Sequence, residues 1–269
     1  MLRLFKLEMT KIWSTRYFKI LGVLWLIAFF SVPIGTWAFL NKMDDWLLET
    51  SVKIMPSQLP IFDFVDLWQN LTWCYKCLTI FICFSVMISI TNEYSYKTIR
   101  QNVIDGLSKR ELWLSKVTLI LGLAALATAM VFILGLITGF TLSPVTGVEY
   151  IFRNIEFLAA YFFQVFMFLS FCLFVGVLIK RAGFAIALFI FWTYIVEPIL
   201  NLILEWKIGD WASDLLPMEA CWNLIRMPWS KYALNYAQDF VGLQDLGIAA
   251  VWTFIFLWGS YRIISKRDL

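Results

Sequence analysis

Apolar positions in this 269-residue chain gather into six long runs separated by polar stretches. The runs lie near residues 17–40, 71–90, 114–141, 157–179, 183–204 and 246–263. Each is close to the roughly 20 residues that a helix needs to cross a hydrocarbon core about 30 Å thick. The pattern therefore predicts an all-α integral membrane protein with six transmembrane helices in a single domain, 1–269. Ahead of the first run, residues 1–16 mix basic and apolar positions at helical spacing, with Leu2, Phe5, Met9, Ile12 and Trp13 on one face. That predicts a basic amphipathic helix lying in the headgroup layer, with Trp13 at the interface. The first run is too long for a signal-peptide core and has no small-residue cleavage site after it, so it reads as a span.

The polar stretch 91–116, TNEYSYKTIRQNVIDGLSKRELWLSK, stands apart from the other connections. Tyr96, Ile99, Val103 and Leu107 recur at spacings of three and four, which predicts a short two-faced helix over 92–107. Thr91 or Asn92 is placed to cap its start, and Gly106 to end it. Ser108 and Glu111 then have the form of a capping box that opens the third span.

The remaining connections differ in character. Residues 41–70 are acidic and contain Pro56 and Pro60, which predicts a short cap or loop. The link at 143–156 is brief. Residues 205–245 mix Trp206, Trp211, Trp222, Trp229, Tyr232, Tyr236 and Phe240 with charged residues, and Pro217 and Pro228 divide the segment. It reads either as short re-entrant helices covered by protein or as a plain external loop with interfacial aromatics. In the third span, Ala125/Ala129 and Gly135/Gly139 offer small residues at spacings of four, which permits close helix approach. The phenylalanine-rich fourth and fifth spans read as lipid-facing or core surface.

Composition sharpens this picture. Hydrophobic residues make up 61% of the chain and charged residues 15%, against about 25% charged in soluble domains. Of the 22 Lys and Arg, 15 fall on one side: five in residues 1–19, five in 91–116, Lys180, Arg181, and three at the C-terminus. The positive-inside rule then places both termini in the cytoplasm. The absence of histidine removes the commonest metal ligand and general base. No G-x-x-x-x-G-K-[ST] stretch occurs, and no nucleophile has a base to activate it, so catalysis by this chain is not expected. Cys74 and Cys77 form a C-x-x-C pair outside any thioredoxin-like setting; four of the five cysteines lie in apolar runs and read as small apolar residues, and Cys221 stands alone in the 205–245 segment with no local partner. In the fifth span, Glu197-Pro198 is the intramembrane ionisable position, with Asn201 one turn on. One reading makes Glu197 and Asn201 a polar point on a substrate path. The other ends the span at Pro198 and leaves Glu197 in outer-leaflet water or paired with a base.

The order of amphipathic helix, span, external segment and span, followed by Glu93…Thr98…Ser108-x-Arg110…Lys116 before the third span, resembles the permease subunits of ABC type-2 transporters. The match covers the whole chain in topology and about 25 residues in motif. Lys97 departs from it, standing where the family commonly has glycine. The resemblance implies a type V exporter fold in a bacterial inner membrane, with 92–107 as a coupling helix and 205–245 as re-entrant helices. It also implies two copies of a separate cytoplasmic ATPase subunit that carry the ATP and Mg, a second permease copy or paralogue, and no cofactor on this chain. No nucleic acid is expected as a partner. Glu93, Tyr96, Thr98, Ile99, Arg100 and Val103 are then the expected ATPase contact. The expected cargo is hydrophobic or amphipathic: a peptide, drug or lipid-like molecule. Two other classes compete with this one. A stand-alone channel or secondary transporter would want more intramembrane charges, and a scaffold would use the same helix to recruit a partner without moving cargo.

Overall fold

A computed structural model describes residues 2–49, 61–144, 146–228, 238 and 240–266, and every regular element among them is helical. In chain order these are α1 (Leu2–Trp13), α2 (Arg16–Glu49), α3 (Phe64–Lys76), α4 (Thr79–Ser95), α5 (Thr98–Ile104), α6 (Lys109–Leu142) and α7 (Val148–Ile151). Then come α8 (Glu156–Ile179), α9 (Ala182–Phe191), a π-helical turn (Trp192–Val196), α10 (Glu197–Lys207), α11 (Asp210–Ser213), α12 (Pro217–Asn223) and α13 (Leu243–Lys266). Five helical stretches are long and apolar enough to cross a membrane, and a sixth is reached if the bent pair α3–α4 is one span. The chain is thus a multi-pass membrane protein.

The bundle is built around α8. This helix is apolar on every side, the signature of a helix enclosed by others, and Phe157, Phe168, Phe171 and Leu173 are buried along it. Around it pack α3, α4, α6, α9, α12 and α13. Helix α13 presents Ala249, Thr253, Phe256, Ser260 and Ile264, one helical stripe, and its Phe256 ring lies 4.9 Å from that of Phe171. The phenylalanines of the fourth span therefore form the core. Those of the fifth divide, with Phe189 buried and Phe184 and Phe191 exposed.

Several boundaries differ from the hydropathy pattern. Helix α2 runs on past residue 40 to Glu49, with Pro33 inside it. Residues 50–60, and with them Pro56 and Pro60, lie outside the described residues. The second span begins earlier than residue 71 and is broken: α3 and α4 meet at 43° across Cys77 and Leu78. Polar Gln69 and Asn70 made the stretch before 71 look like a loop, yet both, like Thr72 just after it, are buried in a helix with a partner. Asn70 donates to the Ile61 carbonyl at 2.7 Å, Gln69 to that of Gln238, and Thr72 to that of Trp68. At the other end α4 continues through Thr91 and Asn92 to Ser95, so neither residue caps the following helix. The Thr91 hydroxyl instead bonds back to the Met87 carbonyl at 2.7 Å. Pro198 does not end the fifth span either. The π-helical turn Trp192–Val196 shifts the hydrogen-bond register just before it, and the helix carries on to Lys207. The fifth stretch is thus one continuous candidate span of 26 residues.

Small residues in α6 make two of its contacts. Gly135 lies under the Trp68 ring and Gly139 under Phe64, both on α3. Ala125 and Ala129 point outward, and the buried alanines are Ala124 and Ala127. The Trp68 ring is held in place: its indole N–H donates to the Ile151 carbonyl at 2.7 Å, and it stacks on Phe132 at 5.5 Å. A methyl group on residue 135 would sit 2.6 Å from that fixed ring. Gly135→Ala is therefore expected to cost about 1–3 kcal/mol through overpacking. Gly22→Ala, where no atom lies within 4 Å, should leave the thermal unfolding midpoint in detergent essentially unchanged.

Candidate functional site

Two clusters of polar side chains stand out, one at each end of the bundle. The first joins α1, α4 and α6. The Lys116 ammonium lies 2.6 Å from Glu8 and 2.5 Å from Glu93, and all three side chains are buried. Ser115 donates to Glu8 at 3.0 Å. Lys11, at the rim, lies 3.4 Å from Glu8 and 3.7 Å from Glu93, so two carboxylates face two ammonium groups. Burial raises the Glu8 carboxyl, but the Lys116 and Lys11 charges, with hydrogen bonds from Lys116 and Ser115, outweigh it and hold it below the usual carboxylate value.

This arrangement explains how α1 sits. Its Phe5 ring fills the space over Gly122 of α6, and Ile12 is fully buried. The face expected to enter the headgroup layer thus packs on protein. Trp13 remains 64% exposed, as an interfacial residue would be. Glu8, the lone acid among the first sixteen residues, sits in the middle of the packed face. An acid at that position in a basic amphipathic helix was the available signal for a docking partner.

Helix α5 springs from this node. It spans Thr98–Ile104, shorter than the 92–107 helix expected, because α4 takes residues up to Ser95. Lys97 adopts φ 57° and ψ 20°, the left-handed conformation that glycine takes most readily. The Thr98 hydroxyl returns to the Glu93 carbonyl at 3.3 Å. Gly106, at φ 99°, closes the far end, with the Leu107 N–H on the Asn102 carbonyl and the Gly106 N–H on that of Val103, a Schellman arrangement. The Ser108–Glu111 capping box is formed as the sequence predicts.

The six residues expected at a partner contact are distributed unevenly. Glu93 is in the buried ion node, Ile99 is 5% exposed, and Val103 is half-buried. Tyr96, Thr98 and Arg100 are exposed. Ile104, not singled out in the sequence, is 70% exposed and joins Tyr96, at 76%, on the outer surface. Of the four residues at helical spacing, Ile99 and Val103 fall in α5 and turn inward, whereas Tyr96 and Leu107 lie outside the helix and Tyr96 is exposed.

The second cluster lies at the opposite end, between α10 and α12. Glu197 is 2% exposed and accepts from the Trp192 indole at 2.7 Å, from the Glu219 backbone N–H at 3.0 Å and from that of Met218. It is buried away from outer water and, among the described residues, pairs with no base; it ties the start of α12 to α10. Asn201 donates to Glu219 at 3.2 Å. Between them is a cavity of 260 Å³ walled by Thr193, Glu197, Asn201, Met218, Glu219 and Trp222. Helix α12 itself is buried, with Met218, Ala220 and Cys221 covered and the Cys221 carbonyl accepting from Gln164 of α8 at 2.7 Å. Trp229, Tyr232 and Tyr236 lie outside the described residues. All five cysteines are free, Cys74 and Cys77 included.

No family model matches the sequence, and neither a curated protein nor a solved structure gives a match.

Two substitutions test the first cluster. Lys116→Met leaves two buried carboxylates with only Lys11, at the rim, to face them and is expected to destabilise by about 3–5 kcal/mol, whereas the triple change Glu8→Leu, Lys116→Met, Glu93→Leu should recover much of that loss. Thermal unfolding of the detergent-solubilised chain measures both. Lys97→Gly removes a left-handed lysine and should stabilise by about 1 kcal/mol in the same assay.

Proposed function

We propose that this chain is the membrane subunit of an ATP-driven exporter of the ABC type-2 class, with α5 as the docking helix for a separate cytoplasmic ATPase. One observation carries this reading. A short helix closed by a Schellman turn exposes Arg100 and Ile104, with Tyr96 exposed just ahead of it, while its root is fixed by Ile99, Thr98 and an ion node shared by three other helices. A surface rooted in this way transmits a push on α5 to α1, α4 and α6 together. A solvated loop would absorb it. The family motif positions Glu93, Thr98, Ser108 and Lys116 are the residues that build this root and its capping box, and Lys97 takes the backbone conformation expected of the family's glycine.

In this reading both termini are cytoplasmic, the membrane is a bacterial inner membrane, and ATP and Mg belong to the ATPase, of which two copies act on two permeases. The exposed apolar stripe of α2, with Ile20, Val23, Ile27, Phe30 and Ile34, suits lipid or the second permease. Helix α12, its backbone covered by α8 and α13, serves as a re-entrant helix of the outer leaflet. The cargo is hydrophobic or amphipathic.

The test is a mild-detergent affinity purification of the full chain from its host, with mass spectrometry and an ATPase assay on the eluate. A P-loop subunit is expected to co-purify and to be lost, by tenfold or more, in Tyr96→Asp and Ile104→Asp variants that still elute as monodisperse protein. Ile99→Asp is a poor probe, because it buries a charge under α5 and lowers the yield of folded chain. A wild-type chain that elutes without any nucleotide-hydrolysing subunit would overturn the proposal in favour of a stand-alone carrier.

A further inference from the structure

The cavity between α10 and α12 has a composition that its structural role does not explain. Glu197 is fully occupied as a clasp, yet the other polar groups around the space are acceptors in excess of their partners. Thr193 is 3% exposed and lines the cavity, and among the described residues its hydroxyl has no hydrogen-bond partner. Asn201 spends its amide nitrogen on Glu219, which leaves its carbonyl oxygen buried and without a partner among the described residues. The Glu219 carboxylate closes the same wall. Buried polar atoms without partners are costly, and each one in a folded protein calls for a reason.

The charge around this wall is negative. The acids that bear on it are Glu197, Glu219, Asp214 and Glu205, against the bases Lys76 and Arg226. Both bases are engaged elsewhere. Lys76 donates to the Ile225 carbonyl at 3.3 Å and lies 5.1 Å from the centre of the Trp222 ring, and Arg226 pairs with Asp245 at 3.8 Å. The described residues hold no group of three His, Cys, Asp or Glu able to bind a metal ion. A space of 260 Å³ is also several times the roughly 30 Å³ that one water occupies in the liquid. A bare ion would rattle in it.

We infer that this cavity binds the primary ammonium or guanidinium head of an amphiphile, with Glu219, the Asn201 carbonyl and the Thr193 hydroxyl as acceptors for its N–H groups. Such a head brings several donors and one positive charge, which is what the acceptor-rich, acidic wall lacks. Leu202 lines the same cavity and is 67% exposed, so the space opens onto the apolar outer surface of α10. An alkyl tail attached to the head lies along that surface. Binding stands on this geometry alone. That the bound amphiphile is exported cargo rests on the exporter reading above.

The experiment uses the full chain in phosphatidylcholine nanodiscs at pH 7, with tritiated octylamine as the probe. Saturable binding is expected, displaced by unlabelled octylamine and by octylguanidinium. Octyltrimethylammonium, which has the charge but no N–H, should compete at least tenfold less well. Octanol and potassium chloride should not compete. Glu219→Gln should weaken binding tenfold or more, and Thr193→Val should weaken it several-fold; both are close isosteres whose folding is checked by gel filtration and melting temperature. If Glu219→Gln misfolds, Thr193→Val carries the test. Equal displacement by octanol, displacement by potassium ion, or unchanged affinity in a folded variant would sink the inference. The Tyr96→Asp chain should bind octylamine normally, so loss of the ATPase partner and loss of this site are separate results.

Discussion

The buried contact of Lys116 with Glu8 and Glu93 is the constraint on which the architecture of one end depends. Taking three charges out of water costs several kcal/mol for each, and their attraction offsets this only with short, complete contacts. The distances of 2.5 and 2.6 Å, with Ser115 and Lys11 filling in around them, meet that condition. Because the partners come from α1, α4 and α6, the requirement that each charge be matched fixes three helices at once. Apolar packing alone would leave α1 free to slide on α6 by a helical turn. A carboxylate that must meet one ammonium removes that freedom. Position 97 follows from it: with Glu93 pinned, the chain has to turn sharply to begin α5, and it does so through a left-handed lysine.

The other end obeys a different constraint, the need to satisfy backbone groups away from water. The short helix α12 begins inside protein, where its first N–H groups have no carbonyl to bond. Glu197 supplies the acceptor, and the π-helical turn before Pro198 lets the fifth helix continue through a residue that has no N–H to give. Glutamate and proline in sequence are therefore one device for seating α12 on an unbroken α10. The same economy shows in α3, where Gln69, which looks like a loop residue, donates to the carbonyl of the distant Gln238.

Much of the helical plan was legible, because lipid-facing helices must be long and apolar and the sequence shows that directly. The apolar character of α6, α8 and α13, the capping box at Ser108 and the closing glycine at 106 all follow from local pattern. What failed to show was whatever depends on partners far apart in sequence. Glu8 and Lys116 are 108 positions apart, and neither carries a mark that says which acid meets which base. Gln69 and Asn70 lowered the apparent hydrophobicity of a helix that is nevertheless buried. Spacing put Ile99 and Val103 on one face of α5 but cannot say whether such a face turns toward the protein or toward a partner, and the exposed residue is Ile104, which lies off that face. Glu197 was noticed as unusual, while the acceptors Thr193 and Glu219 around the cavity were not, since only folding brings α10 and α12 together.

The two ends are joined by elements of unequal stiffness. Helix α6 is a single rod of 34 residues, about 50 Å long, fixed at one end by the ion node and near the other by Gly135 and Gly139 under α3. The α3–α4 segment leaves the same node and reaches the same region, but with a 43° break at Cys77 and Leu78. A straight rod and a broken one tied together at both ends cannot move independently. A displacement of the node carries α6 as a unit, and the difference in path is taken up where α4 meets α3. Lys76, the last residue before that break, holds the Ile225 carbonyl just after α12 and lies against Trp222 of the cavity wall. The α3–α4 joint is thus in direct contact with the segment that encloses the acidic cavity, and in the proposed exporter the ion node at the far end would be what carries a movement of α5 to it.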